Sequence, residues 1–236
     1  MNASSAAARA PLGLVALLAT ALLCVSSLAQ AIPEIQNWHT ANGVPVYFIA
    51  ARELPMVDAQ ILFRAGSVRD GARPGLAQLT NGLLEEGAGD WSADTIADRL
   101  DQVGARLATS SRRDSASVAL RSLTDPRYLQ PAVETVARLL KEPSFAPDAV
   151  ERVRQQMLTA LQERAQSPGA IAQDAFFKAL YGDHPYGSSD LGALESVKAL
   201  TRDDVVAAKA ASMAKDQLYI SAVGDTEWAT TLKGGG

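Results

Sequence analysis

The sequence predicts an α+β fold, in which an antiparallel sheet carries helices packed on one face. Runs rich in β-branched and aromatic residues occur at 44–50 and 57–65, at 105–111 and 115–123, and at 217–225. Within 57–65, apolar residues alternate with Asp58, Gln60 and Arg64, which indicates a strand with one buried face. Because the first four strands come as two pairs separated by short turns, with helical blocks between the pairs, antiparallel pairing is favoured.

Residues 75–89, "GLAQLTNGLLEEGAG", are typical of one amphipathic helix that follows the first pair of strands. Leu76, Leu79 and Leu83 fall at i, i+3 and i+7, so they share one face that we expect to be buried. Gly87 and Gly89 suit the C-terminal cap of this helix.

A second stripe of the same helix has the spacing of a metal site without its chemistry. Gln78 and Gly82 lie four residues apart and share a face, with Asn81 beside them. In that geometry two histidines and a glutamate would form a zinc site, but this stripe offers two amides and a glycine.

Further helices are indicated by their start and stop signals. One runs from Ser92, a plausible N-cap, to Gly104, which suits its C-terminus. Proline in the first turn, or aspartate or threonine at the cap, marks the other starts. These follow Asp125-Pro126 and Ala146-Pro147-Asp148, lie near Gly169, and occur at Thr201–Asp204.

The first 31 residues are typical of a secretory signal peptide. Arg9 is the only charge before Glu34, an apolar run extends from Leu12 to Leu23, and small residues allow cleavage near Ala29 or Ala31. A retained membrane anchor is the alternative, but the apolar run is shorter than the roughly 20 residues that a span needs. We therefore expect a periplasmic or secreted protein that has no membrane segment after cleavage.

Composition narrows the classes of protein to which this chain could belong. The chain has 236 residues, a net charge of −4 and one cysteine, Cys24, which cleavage would remove. No basic residues cluster, so nucleic-acid binding is not expected. Residues 32–225 are long enough for one α+β domain, and 226–236, which ends in three glycines, reads as a linker or a truncated end.

Several ordered blocks of the sequence resemble the N-terminal half of the pitrilysin/insulinase family of zinc peptidases. They run from "NGVPVYFIAARELPMVDAQILFRAGSVRD" and "GLAQLTNGLLEEGAG" through "SFAPDAVERVRQQMLTALQ" and "YGDHPYG" to "LYISAVGD". The resemblance covers about Asn42 to Asp225. It implies a half-domain of a two-half protein whose halves enclose a chamber for unfolded or extended peptides.

In active members of that family the helix carries His-x-x-Glu-His, in which both histidines bind zinc and the glutamate activates water. Laid on this sequence, these positions are Gln78, Asn81 and Gly82, and the later glutamate ligand falls near Ala160. An amide takes no proton from water near neutral pH, so the resemblance implies a non-catalytic chain that binds no metal. The two histidines, His39 before the first strand and His184 in a turn, lie off this helix.

Three functions stay open at this point. The first is a non-catalytic subunit that pairs with a zinc-bearing paralogue and a C-terminal half-domain to process peptides, with zinc only in the partner. The second is a metallopeptidase with unorthodox ligands, for which Glu85 and Glu86 are the candidates. Two acidic residues at an exposed helix end are more often solvated. The third is a peptide-binding or scaffold module without a proteolytic role.

Overall fold

Eight strands make up a six-stranded sheet and a separate short hairpin. The computed structural model describes residues 33–225, so the predicted leader at 1–31 and the tail at 226–236 lie outside the described residues. The strands are β1 (Ile35–His39), β2 (Pro45–Ala50), β3 (Met56–Phe63), β4 (Gly87–Ala88), β5 (Trp91–Ser92), β6 (Arg106–Ser111), β7 (Ala116–Leu123) and β8 (Leu218–Gly224). The large sheet has the order β1-β2-β8-β3-β7-β6, and β4 pairs with β5.

The last strand enters the middle of the sheet. β8 lies between β2 and β3, antiparallel to β3 but parallel to β2, with Val46 opposite Ile220. The sheet is therefore mixed, although its other four pairs are antiparallel. The first two predicted strands thus do not pair with each other, because alternation along a strand reports which face is buried and carries no information about the neighbouring strand.

Strand β1 was not predicted, and it corrects the placement of His39. The segment Ile35–His39 pairs antiparallel with β2, and His39 is its last residue, opposite Pro45. His39 therefore lies in the first strand and not before it. β1 is an edge strand with alternating partial exposure, so it lacks the continuous apolar signal that identifies a buried strand.

Seven helices are described. They are α1 (Leu76–Gly82), α2 (Ala93–Gln102), α3 (Pro126–Lys141), α4 (Pro147–Arg164), α5 (Pro168–Tyr181), α6 (Leu194–Ala199) and α7 (Arg202–Ser212). The predicted caps are present: Ser92 Oγ accepts from Thr95 N at 3.2 Å, Asp125 Oδ1 accepts from Arg127 N at 2.9 Å, and Thr201 forms a capping box with Asp204.

The predicted helix at 75–89 is shorter than its periodicity suggests. α1 ends at Gly82, a 3₁₀ turn continues over Leu83–Glu86, and Gly87 begins β4 with a φ of 154°. The apolar face is nevertheless as expected, because Leu76, Leu79 and Leu83 are all buried. Glycine suits position 87, since L side chains rarely adopt this φ and a Cβ there would stand 3.1 Å from Trp91 O.

All the large buried clusters lie on one side of the sheet or between the helices. One cluster joins Phe63 and Val118 of the sheet to Leu139 of α3, and another joins Leu79 of α1 to Val153 of α4. On the opposite side the strands expose side chains such as Tyr47 and Val223. The α+β class and the one-sided helical layer are therefore confirmed. Within residues 33–225, no helix combines the length and apolarity that a bilayer span requires.

Candidate functional site

The first turn of α1 is held by a buried carboxylate. Asp70 Oδ2 accepts a hydrogen bond from Gly75 N and Oδ1 accepts one from Ala77 N, both at 2.9 Å. Burial raises the pKa of Asp70 to about 6, against the lowering effect of these backbone donors. Asp70 was missed by sequence reasoning, because it lies five residues before Gly75 and so outside the usual capping pattern.

The three motif positions on α1 differ in burial. Gln78 and Gly82 are partly buried, whereas Asn81 is only 2% exposed. Among the described residues, Asn81 Oδ1 is buried and accepts no hydrogen bond. Asn81 therefore points into the protein interior, with an amide where the family motif has an acid–base group, whereas Gln78 and Gly82 keep part of their surface exposed.

Helix α4 lies directly against this stripe. A Cβ atom added to Gly82 would stand 3.4 Å from Cγ1 of Val153, which is ordinary contact distance. Ala160 follows Val153 by seven residues, or two helical turns, and so lies on the same face of α4. The structure thus brings α1 and α4 together, and places Ala160 two turns along α4 from the residue that Gly82 faces.

The donor set at these positions does not fit zinc. Gln78 and Asn81 supply neutral amides, and neither Gly82 nor Ala160 has a side-chain donor, whereas zinc prefers thiolate, imidazole and carboxylate ligands. Across residues 33–225, no group of three or more His, Cys, Asp and Glu side chains is arranged to hold a metal ion. His184 serves a turn instead, with Nδ1 accepting from Tyr186 N at 3.2 Å.

The two glutamates after α1 are less exposed than predicted. Glu85 and Glu86 are both partly buried, and the Glu86 carboxylate forms an ion pair with Arg152 of α4. This bond raises the pKa of Arg152. Glu86 is therefore engaged with a cation of the protein itself, and it joins the 3₁₀ turn to α4.

The uncovered side of the sheet holds a groove that the sequence did not indicate. It encloses about 670 Å³ and is lined by residues from β1, β2, β3, β6, β7 and β8. Within it, Arg121 donates from Nε and Nη2 to the two carboxylate oxygens of Asp58, at 2.6 and 2.9 Å. A signal was present, since Asp58 and Arg121 occupy outward-facing positions of two predicted strands.

The sheet also has a free edge close to α1. β6 is the terminal strand on that side, and α1 packs against it. The backbone groups of β6 that face away from β7 consequently have no strand partner among residues 33–225. An edge strand of this kind can pair with an extended peptide.

Comparison with known proteins identifies the fold and the family together. The family model for insulinase (peptidase family M16) matches residues 48–193, which is more than half of the chain. The chain belongs to this family. The insulinase-family match includes α1, α4 and the whole of the stripe described above.

The descriptions of two similar proteins say that they lack peptidase activity. A Helicobacter pylori protein named non-peptidase homolog YmxG is 29% identical over 191 residues, covering 80% of this chain and 44% of its own length. The crystal structure of a peptidase M16 inactive domain from Pseudomonas fluorescens is 35% identical with a TM-score of 0.81, covering 84% of this chain and 48% of that chain.

A third structure shares the fold at low identity. It is the first half of the periplasmic protease PqqL from Escherichia coli, which is 15% identical with a TM-score of 0.75 and covers 86% of this chain and 46% of that chain. The chain spans about half the length of the relatives named here. The mixed sheet with helices on one face is thus the half-domain fold of this family.

Proposed function

We propose that this insulinase-family chain is an exported, non-catalytic subunit that pairs with a zinc-bearing paralogue and completes a chamber for peptides. The observation that carries the proposal is the α1 stripe, in which Gln78, Asn81 and Gly82 stand where His-x-x-Glu-His would stand. The name of the H. pylori relative and the description of the P. fluorescens domain support this interpretation.

The α1 stripe lacks the side chains that zinc-dependent peptide hydrolysis requires. Peptide hydrolysis on zinc needs ligands that hold the metal and a base that takes a proton from water. The amide of Asn81 cannot act as that base, and Gly82 and Ala160 offer no ligand atom. Zinc is therefore assigned to the partner subunit, which also supplies the base.

Peptide binding needs none of the missing groups. The free edge of β6 offers main-chain donors and acceptors, so an unfolded peptide could add to the sheet as a further strand with little sequence preference. Because α1 packs against β6, such a peptide would lie close to the helix that carries the motif positions. A subunit of this kind would hold substrate in an orientation that the active partner can use.

The chamber itself requires more protein than the residues described. The relatives are about twice as long as the matched region, so we assign the remaining wall to a C-terminal half-domain and to the paralogue. From the predicted leader at 1–31 we infer that the assembly acts in the periplasm or outside the cell. The periplasmic description of PqqL supports that location.

The test is reconstitution with a paralogue from the same genome that carries His-x-x-Glu-His. Tagged chain should co-purify with that paralogue, and hydrolysis of a quenched fluorescent peptide should require both proteins. Elemental analysis should find zinc in the paralogue and none in this chain. Stoichiometric zinc in the isolated chain, lost on replacing Glu85 or Glu86, would instead establish an active site with unorthodox ligands. Failure to associate would favour a scaffold module.

A further inference from the structure

The sequence contains the dipeptide Asn-Gly twice, and the fold places the two copies in opposite environments. Asn42-Gly43 lies in the turn that joins β1 to β2, where both residues are exposed. Asn81-Gly82 lies at the end of α1, where the asparagine is only 2% exposed. Glycine has no side chain to shield its backbone nitrogen or to restrict its backbone, so in this dipeptide that nitrogen can reach the side-chain amide of the preceding asparagine.

The reaction open to such a dipeptide is an intramolecular displacement. The glycine nitrogen loses its proton to a solvent base and attacks Cγ of the asparagine, and the bond from Cγ to the amide nitrogen breaks as ammonia leaves with a proton from solvent. The product is a five-membered succinimide, to which water then adds. Opening at the side-chain carbonyl gives aspartate, whereas opening at the backbone carbonyl gives isoaspartate, in which the main chain runs through Cβ.

The turn that contains Asn42 is held by a few local hydrogen bonds. Gly43 N donates to Thr40 O at 2.8 Å, and Thr40 N donates to Val44 O at 2.9 Å. A Cβ atom built on Gly43 would meet no heavy atom of the described residues within 4 Å beyond its chain neighbours. Solvent and free space therefore surround the groups that must rotate to bring the Gly43 nitrogen onto Cγ of Asn42.

Helix α1 protects the second copy of the dipeptide. Asn81 lies within the helix, and Gly82 follows it with a φ of −64° and a ψ of −26°. An α-helix commits each backbone N–H to the carbonyl four residues earlier, so the Gly82 nitrogen must leave the helix to reach Cγ of Asn81. Burial also keeps solvent base and water from Asn81. Reaction there requires the end of α1 to unfold, whereas reaction at Asn42 requires only that a surface turn open.

We propose that Asn42 is a site of spontaneous conversion to isoaspartate and aspartate in the folded protein, and that Asn81 is not. Either product adds a negative charge to the turn between β1 and β2. Isoaspartate also lengthens the main chain of the turn by one atom, so the hydrogen bonds at Thr40 and Gly43 cannot both keep their geometry. Because β2 is the only sheet neighbour of β1 among residues 33–225, this product loosens β1.

The first experiment follows the full chain by peptide mass spectrometry during incubation at neutral and at mildly alkaline pH. The peptide that contains Asn42 should gain the mass that replaces an amide NH₂ with OH, and faster at the higher pH, because the attacking nitrogen must lose a proton. The peptide that contains Asn81 should convert many-fold more slowly. In chain unfolded with guanidinium, both should convert at comparable rates. Equal conversion of the two in the folded chain, or conversion of Asn42 only after unfolding, would overturn the proposal.

The second experiment identifies the product and measures its effect on β1. An isoaspartyl methyltransferase with a labelled methyl donor should label the aged chain in the peptide that contains residue 42. Aged Asn42→Gln should stay unlabelled there, since its longer side chain must close a six-membered ring. Hydrogen exchange in β1 should be many-fold faster in the labelled chain than in fresh protein. Asn42→Asp, which has the charge without the added main-chain atom, should exchange like fresh protein. An unlabelled aged chain, or unchanged exchange in a labelled one, would contradict the proposal.

Discussion

Replacing Asp70 with asparagine separates two opposing effects on the buried carboxylate before α1. Burial disfavours the charged form, whereas the N–H groups of Gly75 and Ala77 favour it. Burial is the larger effect and raises the pKa of Asp70 from 3.8 to about 6. Asparagine has nearly the same shape and keeps an oxygen acceptor, but it does not titrate.

The sign and size of the pH dependence follow from this pKa. The folded chain binds the Asp70 proton more tightly than the unfolded chain, so protonation stabilises the fold. That contribution is fully present below about pH 3.8 and is lost as the pH rises through about 6. One pKa unit corresponds to about 1.36 kcal/mol, so the loss is at most about 3 kcal/mol.

The assay is urea unfolding of the parent chain and of Asp70→Asn at intervals between pH 4 and 7.5. Other titrating groups are common to both proteins, so the difference between their unfolding free energies isolates Asp70. We expect the parent to lose stability relative to the variant as the pH rises across the window from about 4 to 6. A flat difference would show that the backbone donors cancel the effect of burial, and a difference that moves in favour of the parent would show that they outweigh it; either result would refute this reasoning.

Three further predictions concern α1 and its neighbours. Four substitutions restore the family motif: Gln78→His, Asn81→Glu, Gly82→His and Ala160→Glu. Elemental analysis should find one equivalent of zinc in this variant and none in the parent. Gly75→Ala should lower the thermal midpoint by several degrees, because its φ is 98° and a Cβ would stand 2.9 Å from Leu191 O. Leu79→Ala should cost about 2–5 kcal/mol in urea unfolding, because Leu79 is fully buried in the cluster between α1 and α4.

The local parts of the fold could be predicted because short-range chemistry determines them. The hairpin of β6 and β7 follows from two alternating runs joined by the charged turn Arg112–Asp114, and it forms with Leu107 opposite Leu120. Ser92 and Thr201 cap their helices as predicted, since a capping side chain acts within three residues of its own position. No such local signal sets the position of β8, whose pairing with β2 joins residues far apart in sequence.

The features of the candidate site likewise divide into those that residue identity determines and those that tertiary packing determines. The expectation that the α1 stripe lacks zinc ligands and a base depends on residue identity alone, so it can be stated from the sequence. The burial of Asn81 and the ion pair between Glu86 and Arg152 depend on how α1 and α4 pack, and residue types alone do not predict that packing. The contacts of the turn at Arg112–Asp114 also depend on packing. Arg113 stacks on Phe177 of α5, and the Tyr186 hydroxyl donates to Asp114 at 2.5 Å.

The fold of α1 can persist without the chemistry because the two depend on different stripes of one helix. Leu76, Leu79 and Leu83 bury the apolar stripe, and Asp70 secures the first turn, so neither contribution involves the motif positions. The side of α1 at Gly82 has little spare room, since a Cβ atom built there would stand 3.4 Å from Cγ1 of Val153. We therefore expect substitutions at the motif positions to cost this half-domain less stability than substitutions in the apolar stripe. The edge strand β6 contains none of the motif positions, so we expect substitutions at those positions to leave it unchanged.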